Sequence, residues 1–251
     1  MALKKAEVGE IQVPRLTQGV ATLRIIGQTP LFQNRMANKA KQTLLVGGRK
    51  KTAADRVQLK HDPLAEFRDS AEIMKDGPTA LGVRVTAIKG AMCTAALETA
   101  GITKTSAQRL LFMPGDLVPL YGTPQLRMDV VRSADINRTP DVRSRCFLPT
   151  WGVEVEIRFI TPQLALSSVV ALLCNAGVLV GIGDFRQEKG KGGFGAFRVL
   201  GEGDKDPGWD DLVKHHGRKA QEAALRAPEY ANGDTADLME FFDSEKKRRA
   251  A

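Results

Sequence analysis

"GVEVEIRFITPQLALSSVVALLCNAGVLVGIGD", Gly152–Asp184, runs from strand to helix to glycines. Val153, Val155, Ile157 and Phe159 alternate with Glu154, Glu156 and Arg158, the period-two pattern of a strand with one face buried. Thr161-Pro162 predicts a helix start, the threonine as N-cap and the proline in the first turn. "QLALSSVVALLCNAG" then supplies a wide apolar stripe, and Gly177 predicts its end.

The flanking sequence repeats this grammar. "VATLRIIGQTPL", from Val20, reads as a strand ended by Gly27 and Pro30. In "VRVTAIKGAMCTAALETAG", Val83 to Gly101, the residues Ile88, Ala91, Met92, Ala95, Ala96 and Thr99 recur at helical spacing, with Thr86 as the predicted cap. "QRLLFMPGDLVPLYG" and "PQLRMDVVRS" read as short strands. "ADINRTPDVRSRCFLPTW" reads as a polar loop carrying Arg138, Arg143 and Arg145, and "FGAFRVL" as a last strand. Reduced to its skeleton, the order gives two βαβ-like halves. The predicted class is α+β, a ferredoxin-like or RNA-recognition-type sheet with large insertions.

Residues 1–200 form the predicted domain, with a basic insertion at about 34–75. Between Asn34 and Lys60 lie eight Lys/Arg, among them Arg35, Lys39, Arg49, Lys50 and Lys51, against one Asp. No core-like period runs through them, and Gly47-Gly48 interrupts the stretch, so it reads as an exposed insertion. Residues 201–251 form an acidic extension, with a short helix predicted near Trp209 to Ala227 and a frayed basic end. Residues 1–200 hold 28 Lys/Arg against 17 Asp/Glu, whereas the extension holds 9 against 12. A basic body beside an acidic tail points to a polyanionic partner, nucleic acid first.

"GIGDFRQEKGKGGFGAFRVL", Gly181–Leu200, packs six glycines among Arg186, Lys189, Lys191, Phe185 and Phe194. Glycine loses the most entropy on ordering, so a fold keeps this many where backbone bends sharply or comes close to something. The loop follows a helix and leads into a strand, which is the wrong context for a dinucleotide fingerprint, and it lacks the Walker lysine-hydroxyl pair. Backbone amides at Gly192 and Gly193, flanked by cations and rings, suit phosphates and bases. A flexible hairpin tip is the plainer alternative.

Catalytic groupings are scarce. The three histidines (His61, His215, His216) stand in no metal-binding spacing, and Cys93, Cys146 and Cys174 form no CxxC pair. No cofactor or metal is expected, and a reducing cytoplasm is the simplest compartment. The longest apolar run, around Val169 to Ile182, is too short and interrupted to span a bilayer, so no membrane partner is expected.

Two stretches resemble the RAMP superfamily, which includes the backbone subunits of CRISPR effector complexes that polymerise along a guide RNA. "GPTALGVRVTAIKGAMCTAA", Gly77 to Ala96, is similar at Thr86, Lys89, Gly90 and Ala91 to the turn entering the first helix of those proteins. "VGIGDFRQEKGKGGFGAFRV" resembles their C-terminal glycine-rich loop, and "LRIIGQTPL" their first strand. The usual serine before the basic-Gly pair is replaced by Ala87-Ile88, and the loop is longer and more charged; the spacing also resembles that of phage-encoded proteins. The resemblance implies that Lys89 and the Gly190–Gly195 loop face a nucleic-acid backbone, gripped by the basic insertion. The expected function is a non-enzymatic RNA-binding subunit that forms homo-oligomers along the strand, alone or with other subunits. A phage-type single-stranded DNA binding or annealing protein, a structural assembly protein, and a nuclease using Asp135 or Asp141 are the alternatives.

Overall fold

The structure, a computed structural model, describes residues 13–47, 59–132, 138–189, 192–201 and 203–250. The larger sheet has the strand order β3-β5-β8-β1-β9, with every neighbouring pair antiparallel. Here β1 is Thr17–Gly27, β3 Gly82–Arg84, β5 Leu117–Tyr121, β8 Gly152–Thr161 and β9 Phe197–Leu200; β4, Leu111–Phe112, pairs beside β5 along β8. A smaller sheet runs β2-β7-β6, from β2 Leu31–Gln33, β6 Gln125–Arg132 and β7 Pro140–Leu148. The chain is thus mixed α and β, built on two antiparallel sheets.

Two helices cover one face of the larger sheet: α3, Val85–Ala95, and α5, Leu166–Leu179. Ile88 and Met92 of α3 and Val169, Leu173 and Ala176 of α5 are buried against Ile25, Val153, Val155 and Ile157. These are the positions that strand alternation and helical spacing select. Close packing fixes the helix-to-sheet distance: a Cβ on Gly177 would lie 2.1 Å from the Phe197 carbonyl oxygen. On the opposite face, Trp209 and Leu212 of α6 (Pro207–His215) bury Ile26 and Leu200. The uncovered remainder carries Glu154, Glu156, Arg24 and Arg158, paired as Arg24–Glu154 (3.7 Å) and Arg158–Glu156 (2.7 Å).

The smaller sheet turns one face inward, where Leu126, Met128, Cys146 and Leu148 join the main core with Phe67 of α2 (Pro63–Ser70). Phe67 and Ala71 are fully buried, so the later part of the 34–75 segment is built into the core. Its earlier part forms α1, Asn38–Val46, with Leu44 and Leu45 exposed. Residues 49–51 lie outside the described residues. Residues 203–250 wrap the body as α6, α7 (Arg218–Arg226) and α8 (Gly233–Ala250). Gln221 of α7 is fully buried, and it accepts from the Ala80 and Leu81 amides while donating to the Leu120 and Gly122 carbonyls.

Five local expectations are corrected. Thr161 does not cap a helix, because it stays in the β1–β8 ladder opposite Thr17; α5 begins at Leu166. The capping residue of α3 is Arg84, with Thr86 already inside the first turn. Gln108–Leu110, the start of a stretch read as strand, ends helix α4, Lys104–Leu110, which is capped by Thr103 Oγ1 accepting from the Ser106 amide at 3.1 Å. The polar loop around Arg143 and Arg145 is strand β7, and the basic end at 246–250 continues α8.

Two helical glycines separate packing from propensity. Gly90 of α3 is exposed, with open space where its Cβ would stand. Gly90→Ala should raise stability by roughly 0.5–1 kcal/mol, the usual helix-interior gain. Gly177→Ala should instead lower it by about 2 kcal/mol or more through overpacking against β9. Thermal unfolding of the two variants checks the opposite signs.

Candidate nucleic-acid interface

Directly opposed residues of an antiparallel pair share a face. The register Arg127↔Arg145, Asp129↔Arg143, Gln125↔Phe147 and Phe32↔Phe147 therefore gathers arginines and aromatic rings on the outer face of the smaller sheet. The glycine loop lies across it. Phe32 pairs antiparallel with Asp184, and the Gly195 amide donates to the Pro30 carbonyl at 2.8 Å.

Arg145 is the centre of this layer. Its side chain is 2% exposed, Nη2 donates to Asp129 Oδ2 at 2.7 Å, and Nη1 donates to Asp184 Oδ2 at 3.0 Å. Its guanidinium carbon stands 4.4 Å from the Phe32 ring centre and 5.1 Å from that of Phe185. Arg127 lies over Phe147 (5.1 Å), Phe32 (5.3 Å) and Phe194 (5.8 Å). Arginine suits such stacking because its planar cation is weakly hydrated and prefers aromatic faces. Phe194 is held inside the layer, edge-on to Phe32 at 4.9 Å. Phe185 remains 40% exposed at its rim.

Beyond this layer the β6–β7 hairpin carries Arg132, Arg138 and Arg143, all exposed and none ion-paired among the described residues. On the other side of the loop, a cleft of about 180 Å³ runs between Thr86, Gly90 and Thr94 of α3 and Gly181, Gly183 and Arg186. A second cleft of about 460 Å³ adjoins it, lined by Arg35, Lys41, Arg84 and Asp184.

The other sequence candidates scatter. Arg35 ion-pairs with Glu72 at 3.6 Å, and Lys89 sits over the Phe112 ring at 5.4 Å. Arg186 pairs with Glu188 at 2.7 Å and donates to the Gly183 carbonyl at 3.1 Å. Lys39 lies in α1 and Lys189 in a short 3-10 turn, Gln187–Lys189. Arg49, Lys50, Lys51 and Lys191 lie outside the described residues. Asp141, one of the two carboxylates considered for a nuclease, is bound by Lys60 and by His61 Nε2 at 3.0 Å. The Lys60 hydrogen bond, helped by His61, holds its carboxyl below the usual carboxylate range. Asp135 lies outside the described residues. Among the described residues no cluster of three His, Cys, Asp or Glu side chains fits a metal. The three cysteines are free, and burial pushes each thiol up.

The loop glycines divide by role. A Cβ on Gly192 would lie 1.5 Å from the Phe185 carbonyl oxygen, and one on Gly195 1.8 Å from that of Ile182. Gly195 also has φ +73, whereas a Cβ on Gly193 would meet nothing within 4 Å. The close approach at Gly192 and Gly195 is thus made by the loop to itself, and Gly193 is the member of the pair that faces open space. Sequence reasoning missed Phe32, Asp129, Asp184 and Arg127, which the register alone brings together.

No protein-family model matches the chain, and no curated protein matches it. Gly195→Ala should lower stability by roughly 2 kcal/mol or more, combining backbone strain with the clash. Gly193→Ala should stay within about 0.5 kcal/mol of the parent. Denaturant unfolding of both variants distinguishes an ordered loop from a flexible tip, for which the two changes would be equally mild.

Proposed function

We propose that the chain is a non-enzymatic subunit that binds single-stranded nucleic acid, RNA in preference to DNA, and multimerises along the strand. The observation that carries this reading is the arginine–aromatic layer on the smaller sheet, continued on the β6–β7 hairpin by Arg132, Arg138 and Arg143, which have no ion pair among the described residues. A single strand requires cations for its phosphates and ring faces for its bases; the hairpin arginines would supply the first and the exposed ring of Phe185 the second. The uncovered face of the larger sheet suits this poorly, since Glu154 and Glu156 lie on it and α6 covers one end.

The fold supports the same reading. The order β9-β1-β8-β4/β5, with α3 and α5 on one face, follows the connectivity of a ferredoxin-like βαββαβ unit. The smaller sheet is then its decoration, and the glycine loop stands before the last strand, the place that the resemblance to RAMP-superfamily backbone subunits implies. Three free thiols fit a reducing cytoplasm.

Fluorescence anisotropy with matched single-stranded RNA, single-stranded DNA and duplex tests the proposal. Tightest binding to single-stranded RNA is expected, falling steeply with salt. Arg138→Ala with Arg143→Ala should weaken binding roughly ten- to thirtyfold at low salt, on about 1 kcal/mol per contact. The change should fall alike on all base sequences and flatten the salt slope by about 1.4, two contacts at roughly 0.7 each. Preference for single-stranded DNA would favour an annealing protein. No binding to any of the three at low salt would leave an assembly role and overturn the proposal.

A further inference from the structure

Among the described residues two non-glycines have a positive φ, Arg138 at 44° on the β6–β7 hairpin and Phe185 at 55°, which borders the arginine–aromatic layer. The left-handed region is costly for an aromatic residue, and such strain persists only where the surroundings over-determine it. At Phe185 they do. Its amide donates to Asp184 Oδ1 at 3.0 Å, its carbonyl accepts from the Phe194 amide at 3.4 Å, and Gly192 fits against that carbonyl because it has no side chain.

The fixed backbone sets the ring centre 5.1 Å from the guanidinium carbon of Arg145, which also stands 4.4 Å from the Phe32 ring centre. Phe32, Arg145 and Phe185 form one cluster in which a single cation contacts two rings, anchored by Asp129 and Asp184. The inner members are buried, at 1% and 2% exposure, while Phe185 is 40% exposed. A cluster that ends in water on a rigid aromatic ring can add one more flat group to that ring. The backbone does not ask for an aromatic residue here, since a glycine would relieve the φ strain, and two-fifths of Phe185 stays exposed beyond its contact with Arg145.

We propose that Phe185 is a base-stacking residue, receiving one unpaired nucleobase of the bound strand on its outer face. The site takes purines and pyrimidines alike, because every base offers a π face and no side-chain hydrogen bond reads its edge there. A duplex, whose bases are already stacked, gains nothing from it. This rests on the nucleic-acid reading above and adds the reason for choosing single strands.

The test uses the full chain, a fluorescein-labelled single-stranded RNA, the same strand with abasic positions, and a 5-iodouridine strand for photocrosslinking. The parent should crosslink at Phe185 and bind the abasic strand more weakly. Phe185→Leu keeps an apolar contact on Arg145 but removes the ring face. It should lose about tenfold affinity for the ordinary strand, within the range for one stacked base, and lose little for the abasic one. Phe185→Trp should bind as tightly as the parent or tighter. Phe185→Gly should show the same binding loss with an unchanged or higher Tm, which a purely structural ring would not allow. If the parent binds but Phe185→Leu binds equally well, and the crosslink falls elsewhere, stacking is overturned while the binding reading stands. A change in sedimentation without a change in affinity would assign the ring to contacts between copies and equally overturn stacking. If the parent binds no strand, both readings fail together.

Discussion

A guanidinium held out of water ties the two halves of this surface together. Arg145 projects from β7 of the smaller sheet, and Asp184 belongs to the loop that joins α5 to β9 of the larger one. Withdrawing a cation from water costs several kcal/mol unless charges and hydrogen bonds replace the lost solvation. Two carboxylates and two ring faces do so here, although Arg145 Nε is left without a hydrogen-bond partner. The geometry has to be exact on both sides of the contact for the ion to be tolerated. That requirement turns a glycine-rich connection into one wall of a defined surface.

The loop's own glycines follow from the same constraint. To carry Asp184 to Arg145 and Phe194 to Phe32, the chain must leave α5, cross the edge of the smaller sheet, and return into β9 within seventeen residues, Gly181 to Phe197. Gly181, Gly183 and Gly195 supply positive φ, and Gly192 lets two passes of the loop touch at Phe185. The exposed ring, the open backbone at Gly193 and the unpaired hairpin arginines are what this folding leaves toward solvent. The function proposed for the chain lives on those leftovers and not on the loop's internal contacts.

Much of the fold was readable from residues alone. The alternation in β8, the apolar stripe of α5 and the spacing in α3 each reflect one buried face, so binary pattern sufficed. It failed at β7 for a physical reason. Val142, Ser144, Cys146 and Leu148 alternate there with Asp141, Arg143, Arg145 and Phe147, and a buried arginine looks like a solvent-facing one until its partners are known. Those partners are sixteen and thirty-nine residues away, and no local spacing announces them. The candidate site was legible as composition, basic and glycine-rich with phenylalanines. Its division into paired, buried and free cations was not, because that depends on register. Arg35, Arg145 and Arg186 have partners within the chain, whereas Arg138 and Arg143 have none among the described residues.

Hydrogen exchange on Arg145→Met, compared with the parent, tests the dependence of the surface on this one ion most directly. Asn34 still donates to Asp184 and Arg127 to Asp129, so the carboxylates are not stranded and the main sheet should keep its protection. The expected result is a marked loss of protection confined to the amides of residues 181–196 and the adjoining end of β7, with β1 and β8 unchanged. Loop amides exchanging as slowly as in the parent would contradict the account, because the glycine loop would then be held by something other than Arg145.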